Sequence, residues 1–391
     1  MAMPVTSAPL PPHVLHVTQP VDGGVARVVA DLVRGQLAAG MRVSVACPAA
    51  GDLPRLLASS GCDVLEWQSA RSPAKGLLAE GRRLARVVAA VRPDVVHAHS
   101  AKAGLITRLV VRGRVPTVFQ PHAWSFEAVR GAGARAALAW ERLGARWAAR
   151  IVCVSRAEQR TGQSLGVRAE WRLVPNGVDL ERFRPADAGA TPYGDGPLVV
   201  CVGRLCRQKG QDLLLQAWED VVRALPKARL VLVGDGPDAE RLRAGAPGSV
   251  TFAGAVDDPT PWYRAADLVV MPSRWEGMAL APLEAMACGS PVLVTDVAGA
   301  RESLPPHFAA TCVVPPHDPA ALRRALVRLL RDPEGLRVRG RDGYRHVHAH
   351  HDVRRAAAAV AEVYGELLGP GGTAPAVPGP ATTADREPIT T

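Results

Sequence analysis

The sequence predicts an α/β protein made of two parallel-sheet domains. Short apolar runs alternate with amphipathic segments of helical length, which is the pattern of a parallel sheet with helices on both faces. The alternation breaks at a Pro- and Gly-rich stretch near residues 183–197 and then resumes. Because open parallel sheets bind ligands at the carboxyl ends of their strands, we expect a cleft where the two sheets face each other.

The predicted elements follow from this periodicity. Strands are expected where apolar residues run together, and helices where they recur every three or four positions. In the first half we expect strands at 13–17, 42–46, 94–99, 115–119 and 150–155, with helices at 25–39, 77–91, 103–111 and around Trp140 and Trp147. In the second half we expect strands at 198–202, 229–233, 249–253 and 268–271, with helices at 210–224, 238–245 and 319–331.

These elements define the expected domains. The first domain takes residues 13–185, the hinge residues 186–197 and the second domain residues 198–348. An Ala-rich helix near 352–368 is expected to pack back on the first domain. The terminal segments 1–12 and 369–391 are expected to be disordered, the latter because Pro, Gly and Thr dominate it.

Composition excludes several classes of protein. No run of 18 apolar residues is present, and the first twenty residues lack the basic flank and apolar stretch of an export signal. The seven cysteines are scattered among apolar runs, with neither a disulfide framework nor zinc-site spacing. We therefore expect a cytoplasmic protein that has no metal site.

The net charge of +10 is concentrated in the first half of the chain. Residues 1–190 contain 25 Lys and Arg against 14 Asp and Glu, so the partner of this half is expected to be anionic. Few Lys, few aromatic residues and the absence of a nucleic-acid module argue against nucleic acid. Peripheral contact with the inner face of the plasma membrane is the better interpretation, through two predicted helices that carry Arg82, Arg83, Arg86, Arg135, Arg142 and Arg146. A merely solvated basic face is the alternative.

The most informative segment is 272–292, with the sequence PSRWEGMALAPLEAMACGSPV. It follows an apolar strand, and it places Glu276 in a turn and Glu284 inside a helix. The first backbone amides of a helix have no hydrogen-bond partner within the helix, and such amides bind anions. In this helix they are the amides of Gly277, Met278, Ala279 and Leu280. A phosphate flanked by hydroxyl-bearing groups, as in a nucleotide sugar, fits this pattern. An ordinary strand–turn–helix unit, with Glu276 favoured by the helix dipole, fits it equally well.

A second candidate phosphate site follows the strand at 198–202. Gly203 permits close approach of a phosphate, and Arg204 and Lys209 would neutralise two of its charges. A solvated basic loop is the alternative.

Other strand ends carry weaker signals. Gly23-Gly24 either admits a phosphate at a helix start or forms a tight turn. Gly234 either lies beside a nucleotide base or belongs to an ordinary strand-to-helix turn. His122 can hydrogen-bond sugar hydroxyls, although a lone histidine is by default structural, as we expect for His97 and His99.

Taken in order, these segments resemble the retaining glycosyltransferases of family 4. The matching segments are Gly23-Gly24, 121–124, 154–155, 174–179, 202–210, 234–236 and 272–292. The resemblance runs from about residue 13 to 365 and is most specific around the two glutamates. It implies a GT-B fold of two Rossmann-like domains, with a nucleotide-diphosphate sugar on the second domain and the acceptor on the first.

The resemblance also implies a role for each matching residue. Glu284 would bind the ribose hydroxyls, and Arg204 and Lys209 the diphosphate, with Gly203, Gly234 and Leu280 among the donor-binding positions. Glu276 and the amides of Gly277, Met278 and Ala279 would hold the donor sugar and its phosphate. His122 would contact the sugar, Gly23-Gly24 would lie near the β-phosphate, and Asn176 would shape the hinge side of the cleft.

The expected activity is retaining, metal-independent transfer of a sugar from a UDP- or GDP-linked donor to a hydroxyl acceptor. The acceptor is expected to be a lipid-linked glycan or a glycolipid precursor, and no cofactor is expected. Two cations and a helix N-terminus would stabilise the departing diphosphate without a divalent metal. Two alternatives remain at this stage, a nucleotide-sugar epimerase on the same fold and a non-catalytic subunit that binds a nucleotide sugar.

Overall fold

The computed structural model describes residues 11–70, 76–185 and 196–369. These residues form one seven-stranded and one six-stranded parallel sheet with helices between the strands. The predicted α/β fold class is therefore confirmed. Most of the predicted hinge and nearly all of both terminal segments lie outside the described residues, as positions 186–195, 1–10 and 370–391.

The seven-stranded sheet has the strand order β3-β2-β1-β4-β5-β6-β7. Its strands are β1 (His13–Thr18), β2 (Arg42–Cys47), β3 (Asp63–Glu66), β4 (Val95–His99), β5 (Thr117–Gln120), β6 (Arg150–Cys153) and β7 (Trp171–Leu173). The helices along this part of the chain are α1 (Gly23–Ala38), α2 (Asp52–Leu57), α3 (Leu77–Val91), α4 (Ser100–Val111), α5 (Gly131–Gly144) and α6 (Arg156–Ser164), with short 3-10 helices at Ser125–Glu127 and Ala145–Trp147.

The six-stranded sheet has the order β10-β9-β8-β11-β12-β13. Its strands are β8 (Leu198–Val202), β9 (Arg229–Val233), β10 (Val250–Gly254), β11 (Leu268–Met271), β12 (Val292–Thr295) and β13 (Val313–Val314). The helices are α7 (Gln211–Ala224), α8 (Ala239–Ala244), α9 (Thr260–Ala265), α10 (Leu280–Ala287), α11 (Pro319–Leu330), α12 (Pro333–His350) and α13 (Val353–Leu368), with 3-10 helices at Arg301–Ser303 and Pro306–Ala310.

Internal packing divides the described chain into two compact units. Unit 1 comprises residues 11–120, 144–151 and 357–369, and unit 2 comprises 121–143 and 152–356, apart from the two undescribed internal gaps. Each unit has its own apolar core. In unit 1, Leu15, Val96 and Leu84 bring the sheet and α3 together. In unit 2, Trp218 and Leu326 from two helices pack with Val270 of the central strand β11.

Most predicted elements are present with small shifts at their ends. The strand expected at 115–119 is β5, and it begins at Thr117 because Pro116 has no N–H to donate to the ladder. Helix α1 begins at Gly23, two residues before the expected start. Short elements were not anticipated, notably α2, α6, α9 and the edge strand β3, whose four residues are mostly exposed and lack apolar alternation. No helix among the described residues is both long and apolar enough to cross a membrane.

A buried polar network joins α13 to the sheet of unit 1. His16, His97 and His99 are fully buried on β1 and β4, and the spacing of their nitrogens is one that also suits a metal ion. His16 Nδ1 lies 2.9 Å from His99 Nε2, and His16 Nε2 lies 2.8 Å from Gln36 Oε1. Tyr364 Oη of α13 lies 2.7 Å from His97 Nδ1. The structural role expected for His97 and His99 stays a prediction.

We predict that acid weakens unit 1 through His16. Burial lowers the pKa of His16 from 6.5 to about 4 in the folded protein. Between pH 6.5 and 4 the unfolded chain therefore binds a proton that the folded chain does not. The free energy of unfolding is highest above pH 6.5 as far as this group is concerned, and it decreases as the pH falls towards 4. The loss from this group amounts to about 2 kcal/mol at pH 5. Urea unfolding at pH 7, 6 and 5 measures it.

The variant His16→Asn isolates this contribution, because other buried histidines also make the free energy of unfolding of the native protein depend on pH. Its free energy of unfolding should fall less steeply between pH 6.5 and 5. His317→Asn, at an exposed position, should retain the native dependence of the free energy of unfolding on pH. Equal slopes for His16→Asn and the native protein would contradict the role of His16.

Candidate functional site

The ends of three neighbouring strands in unit 2 carry most of the predicted site residues. Strand β8 lies between β9 and β11, and all three run parallel, so their following loops meet at one edge of the sheet. The loops after β8 and β9 touch through their backbones: a Cβ on Gly234 would lie 2.3 Å from the carbonyl oxygen of Gly203. Gly203 and Gly234 are thus brought together as the predicted donor-binding positions require.

Lys209 and Glu276 form a direct ion pair at this edge. Lys209 Nζ lies 2.6 Å from Glu276 Oε1, and Ser273 Oγ donates to the same oxygen at 2.8 Å. Glu276 is 8% exposed, and its Oε2 lies 3.5 Å from Gln208 Nε2, at the limit of a hydrogen bond. The lysine ammonium has further N–H groups beyond the one used here. The pair therefore joins a cation with further donors to a carboxylate with further acceptor capacity.

A glycine makes this pairing possible. Gly210 precedes α7 with φ of 69°, and a Cβ there would lie 2.1 Å from the carbonyl oxygen of Pro272. The backbone after β8 thus packs directly against the backbone after β11, which brings Lys209 to Glu276. Arg204 lies on the same loop, partly exposed, and its guanidinium forms no ion pair with any residue that the structure describes.

The start of α10 presents unpaired backbone amides. The helix begins at Leu280 with Ala279 as its N-cap, and no side chain caps it. Within the described part of the chain, the amides of Gly277, Met278 and Ala279 donate no hydrogen bond. Together with the helix dipole, such amides form an anion site.

Glu284 lies in the second turn of α10 and is 5% exposed. Its Oε2 accepts a hydrogen bond of 2.6 Å from the hydroxyl of the fully buried Tyr263 in α9. Ser290 Oγ in turn donates to the carbonyl oxygen of Tyr263. Tyr263 was not identified from the sequence, because a tyrosine in an apolar helix carries no signal of the carboxylate that it meets in space.

His122 lies against residues 276–279, the glycine loop, which precedes α10. A Cβ on Gly277 would lie 2.7 Å from the carbonyl oxygen of His122, so this loop and residue 122 are in contact. His122 has φ of 60°, which is uncommon for a residue with a side chain and recurs at functional sites. Although the residue is partly exposed, desolvation of its ring lowers the pKa to about 3, so the imidazole is neutral at pH 7.

The remaining predicted positions lie in different units. Asn176 is buried, and its Nδ2 donates to the carbonyl oxygen of Met278 at 2.8 Å, which places it at the glycine loop. Gly23 and Gly24 begin α1 in unit 1, and a Cβ on Gly23 would meet open space. Their contact with the β-phosphate stays a prediction.

We predict that the Tyr263 hydroxyl stabilises the protein through Glu284. Tyr263→Phe removes a donor to a buried carboxylate, which should lower the free energy of unfolding by about 1–3 kcal/mol. The matched control is Tyr344→Phe, at a partly exposed position in α12, which should change it by less than about 0.5 kcal/mol. Urea unfolding compares the two, and equal small effects would contradict the stabilising role of the Tyr263–Glu284 contact.

Comparison with known proteins relates both halves of the chain to glycosyltransferases. The family described as Glycosyltransferase Family 4 matches residues 22–182, and the one described as Glycosyl transferases group 1 matches residues 196–332. The chain is 36% identical over 235 residues to the lipopolysaccharide core biosynthesis mannosyltransferase LpcC of Rhizobium leguminosarum, covering 56% of this chain and 66% of LpcC. It is 35% identical over 211 residues to the GDP-mannose-dependent monoacylated alpha-(1-6)-phosphatidylinositol monomannoside mannosyltransferase of Corynebacterium glutamicum. This match covers 49% of this chain and 55% of that enzyme. The chain thus spans less than two thirds of either relative.

Solved structures share the fold. The sucrose-phosphate synthase of Thermosynechococcus elongatus matches with a TM-score of 0.78 at 24% identity, covering 91% of this chain and 99% of the synthase. Anabaena HepE, solved in complex with UDP-glucose, matches with a TM-score of 0.76 at 22% identity, covering 90% of this chain and 98% of HepE. Both likenesses concern the fold alone. Because the two family descriptions together cover most of the chain and each matches one of its two halves, this protein belongs to the family 4 (group 1) glycosyltransferases.

Proposed function

We propose that this protein is a retaining, metal-independent glycosyltransferase that moves a sugar from a nucleotide-diphosphate sugar to a hydroxyl group of a lipid-linked glycan or glycolipid. One observation carries the proposal: the unpaired amides of residues 277–279 precede the helix that holds buried Glu284, beside the ion pair of Lys209 and Glu276. A phosphate-sized anion site with a carboxylate on each side suits a diphosphate that joins two hydroxyl-bearing sugars.

The chemistry follows from the charges that develop during transfer. As the glycosidic bond to the donor breaks, negative charge accumulates on the departing diphosphate. Arg204, Lys209 and the N-terminus of α10 place positive charge there, and such preorganised charge stabilises a leaving group without a divalent metal. In this proposal Glu284 accepts hydrogen bonds from the ribose hydroxyls, and Tyr263 orients its carboxylate.

The sugar would lie between Glu276 and His122. Glu276 offers Oε2 to a sugar hydroxyl, while its Oε1 remains with Lys209 and Ser273. The neutral imidazole of His122 offers a hydrogen bond without an added charge beside the sugar. Retention of the anomeric configuration is proposed from the family that the sequence resembles, with the acceptor attacking on the face from which the diphosphate leaves.

GDP-mannose is the first donor to test. Both relatives above are named mannosyltransferases, and one is named GDP-mannose-dependent. Their names also refer to lipopolysaccharide core and to phosphatidylinositol monomannoside, which supports a lipid-linked or glycolipid acceptor here. UDP-glucose is the second donor, because the fold neighbour HepE was solved with it.

A thermal-shift screen of GDP, UDP and their sugars tests the donor, since a ligand specific for the folded state raises the melting temperature. The selected donor is then incubated with and without a glycolipid acceptor, in the presence and absence of EDTA. Glycosylated product that depends on acceptor and resists EDTA supports the proposal. An isomerised donor sugar without acceptor indicates an epimerase, and donor binding without any product indicates a non-catalytic subunit.

We predict that replacing Glu284 weakens donor binding, whereas replacing Arg204 mainly slows turnover. Glu284→Gln removes the charged acceptor of the ribose hydroxyls, so the Kd for GDP should rise by about 10- to 100-fold. Arg204→Ala removes charge from the leaving group, so kcat should fall by about 100-fold while donor affinity changes less. Calorimetry and steady-state kinetics measure both effects.

The exposed residues Glu219 and Arg331 provide matched controls, because they lie on helix α7 and at the C-terminal end of helix α11, outside the loops that carry the proposed contacts. Glu219→Gln and Arg331→Ala should retain native affinity and turnover. Native-like values for Glu284→Gln and Arg204→Ala with a verified donor would rule out these roles.

We further propose that α3 touches an anionic membrane surface. Arg82, Arg83 and Arg86 are exposed on this helix, and Leu78 on the same helix is 78% exposed. A helix that offers an apolar side chain beside several arginines suits the interface of anionic lipid. Such contact would bring the enzyme to a lipid-linked acceptor.

The predicted result is co-sedimentation with phosphatidylglycerol vesicles at low salt but not with phosphatidylcholine vesicles. Because each arginine contributes about 1 kcal/mol, replacing Arg82, Arg83 and Arg86 by Gln should weaken binding by about 100-fold. The control replaces Arg337, Arg341 and Arg345, three exposed arginines of α12, and should bind as the native protein does. Equal loss in both triple variants would show nonspecific attraction, and an absence of native binding would end this proposal.

A further inference from the structure

The carbonyl groups of the glycine loop are held by two side chains from another part of unit 2. Ser155 Oγ donates to the carbonyl oxygen of Gly277 at 3.0 Å, and Asn176 Nδ2 donates to that of Met278 at 2.8 Å. Both side chains are buried, Ser155 fully and Asn176 with 7% exposure. Two successive peptide groups of the loop are therefore each fixed by a hydrogen bond.

Fixing a carbonyl also fixes the next amide. The peptide group is planar and trans, so its C=O and the N–H of the following residue point in opposite directions. When Gly277 C=O points to Ser155, the N–H of Met278 points away from Ser155. In the same way, the bond from Asn176 to Met278 C=O aims the N–H of Ala279 away from Asn176. These two N–H groups are among those that donate no hydrogen bond in the described chain.

Ser155 is itself oriented by the helix that it begins. It is the N-cap of α6, and its Oγ accepts the N–H of Glu158 at 3.0 Å, which leaves the hydroxyl proton for Gly277. Asn176 is tied in turn to His351, whose Nδ1 lies 2.9 Å from the carbonyl oxygen of Asn176. Neither donor depends on solvent for its orientation.

Glu302 holds the start of α6 in place. Its Oε2 accepts the N–H of Arg156 at 2.7 Å, and its Oε1 accepts the N–H of Ala157 at 2.8 Å. A carboxylate at a helix N-terminus makes charge-assisted hydrogen bonds that the helix dipole strengthens. The segment around Glu302 also packs on the glycine loop, because a Cβ on Gly299 would lie 2.1 Å from the carbonyl oxygen of Gly277.

We infer that Ser155 and Asn176 are positioning residues for the donor diphosphate: they aim the N–H groups of Met278 and Ala279, and Glu302 secures Ser155 through α6. This inference rests on the proposed function, because it names what orients the amides of the same site. Amides that are aimed before the ligand arrives need no reorganisation when it binds, which is the property that makes an anion site strong. None of these side chains needs to touch the donor.

The test separates binding of the diphosphate from binding of the nucleoside. Ser155→Ala leaves the Gly277 carbonyl without its donor, so the Kd for GDP should rise about tenfold, the equivalent of one hydrogen bond. The Kd for guanosine should stay within about twofold, because guanosine has no phosphate for the two amides to bind. UDP and uridine are measured in parallel by calorimetry. Ser164→Ala, at the exposed C-terminal end of α6, is the matched control and should bind all four as the native protein does.

Two further variants keep the inference testable if Ser155→Ala does not fold. Asn176→Leu removes the N–H donor without adding a charge near the diphosphate, and it should show the same selective loss for the diphosphate. Glu302→Gln retains only one acceptor oxygen for two amides. It should also weaken GDP binding more than guanosine binding, but by a smaller factor than Ser155→Ala does. Melting temperatures establish that each variant is folded.

Equal weakening of GDP and guanosine would overturn the inference, because it indicates general loosening of the domain. Unchanged GDP binding in folded Ser155→Ala and Asn176→Leu would overturn it as well. If the native protein binds neither GDP nor UDP, the proposed function fails, and the inference fails with it. Selective loss in the variants of a native protein that binds the diphosphate supports both.

Discussion

The candidate site depends on the backbone of residues 276–280, which leaves a buried strand and enters α10. Gly277 is in contact with His122 and Val154 at a distance that excludes a Cβ. The close approach lets Ser155 and Asn176 reach the carbonyl groups of the loop. Because the carbonyl groups are satisfied by protein, the amides on the opposite side of the same peptides remain for a ligand. The loop thus carries the candidate anion site without a positively charged side chain of its own.

Around this loop, charged side chains are arranged so that buried charges are compensated. Glu276 has Lys209 and Ser273, and Glu284 has the hydroxyl of Tyr263. A buried carboxylate is costly unless it is paired or accepts hydrogen bonds, so these partners permit two acids to remain in a largely apolar domain. Arg204, which has no carboxylate partner among the described residues, differs from Lys209 in this respect. Its charge is the one that a phosphate would compensate most directly.

The two units use buried polar groups for different purposes. In unit 1, the hydrogen bonds among His16, Gln36 and Tyr364 connect the sheet to the last helix, and burial keeps His16 neutral. In unit 2, Glu302 and Ser155 satisfy the first amides of α6, and the same serine holds the glycine loop. A buried network of hydrogen bonds specifies a single packing arrangement more strictly than apolar contacts do. In unit 2 that arrangement includes the candidate site.

The sequence by itself determined the α/β class, most strands and longer helices, and the candidate residues Glu276, Glu284, Arg204 and Lys209, because apolar periodicity and strand-end motifs are local properties. The tertiary structure alone decided the partners: Tyr263 for Glu284, Asn176 and Ser155 for the loop carbonyls, and Glu302 for the start of α6. Each of these contacts joins residues that are 21 to 146 positions apart in the chain. Such contacts leave no periodic trace in the sequence, since they arise only when the folded backbone brings the two segments within hydrogen-bond distance.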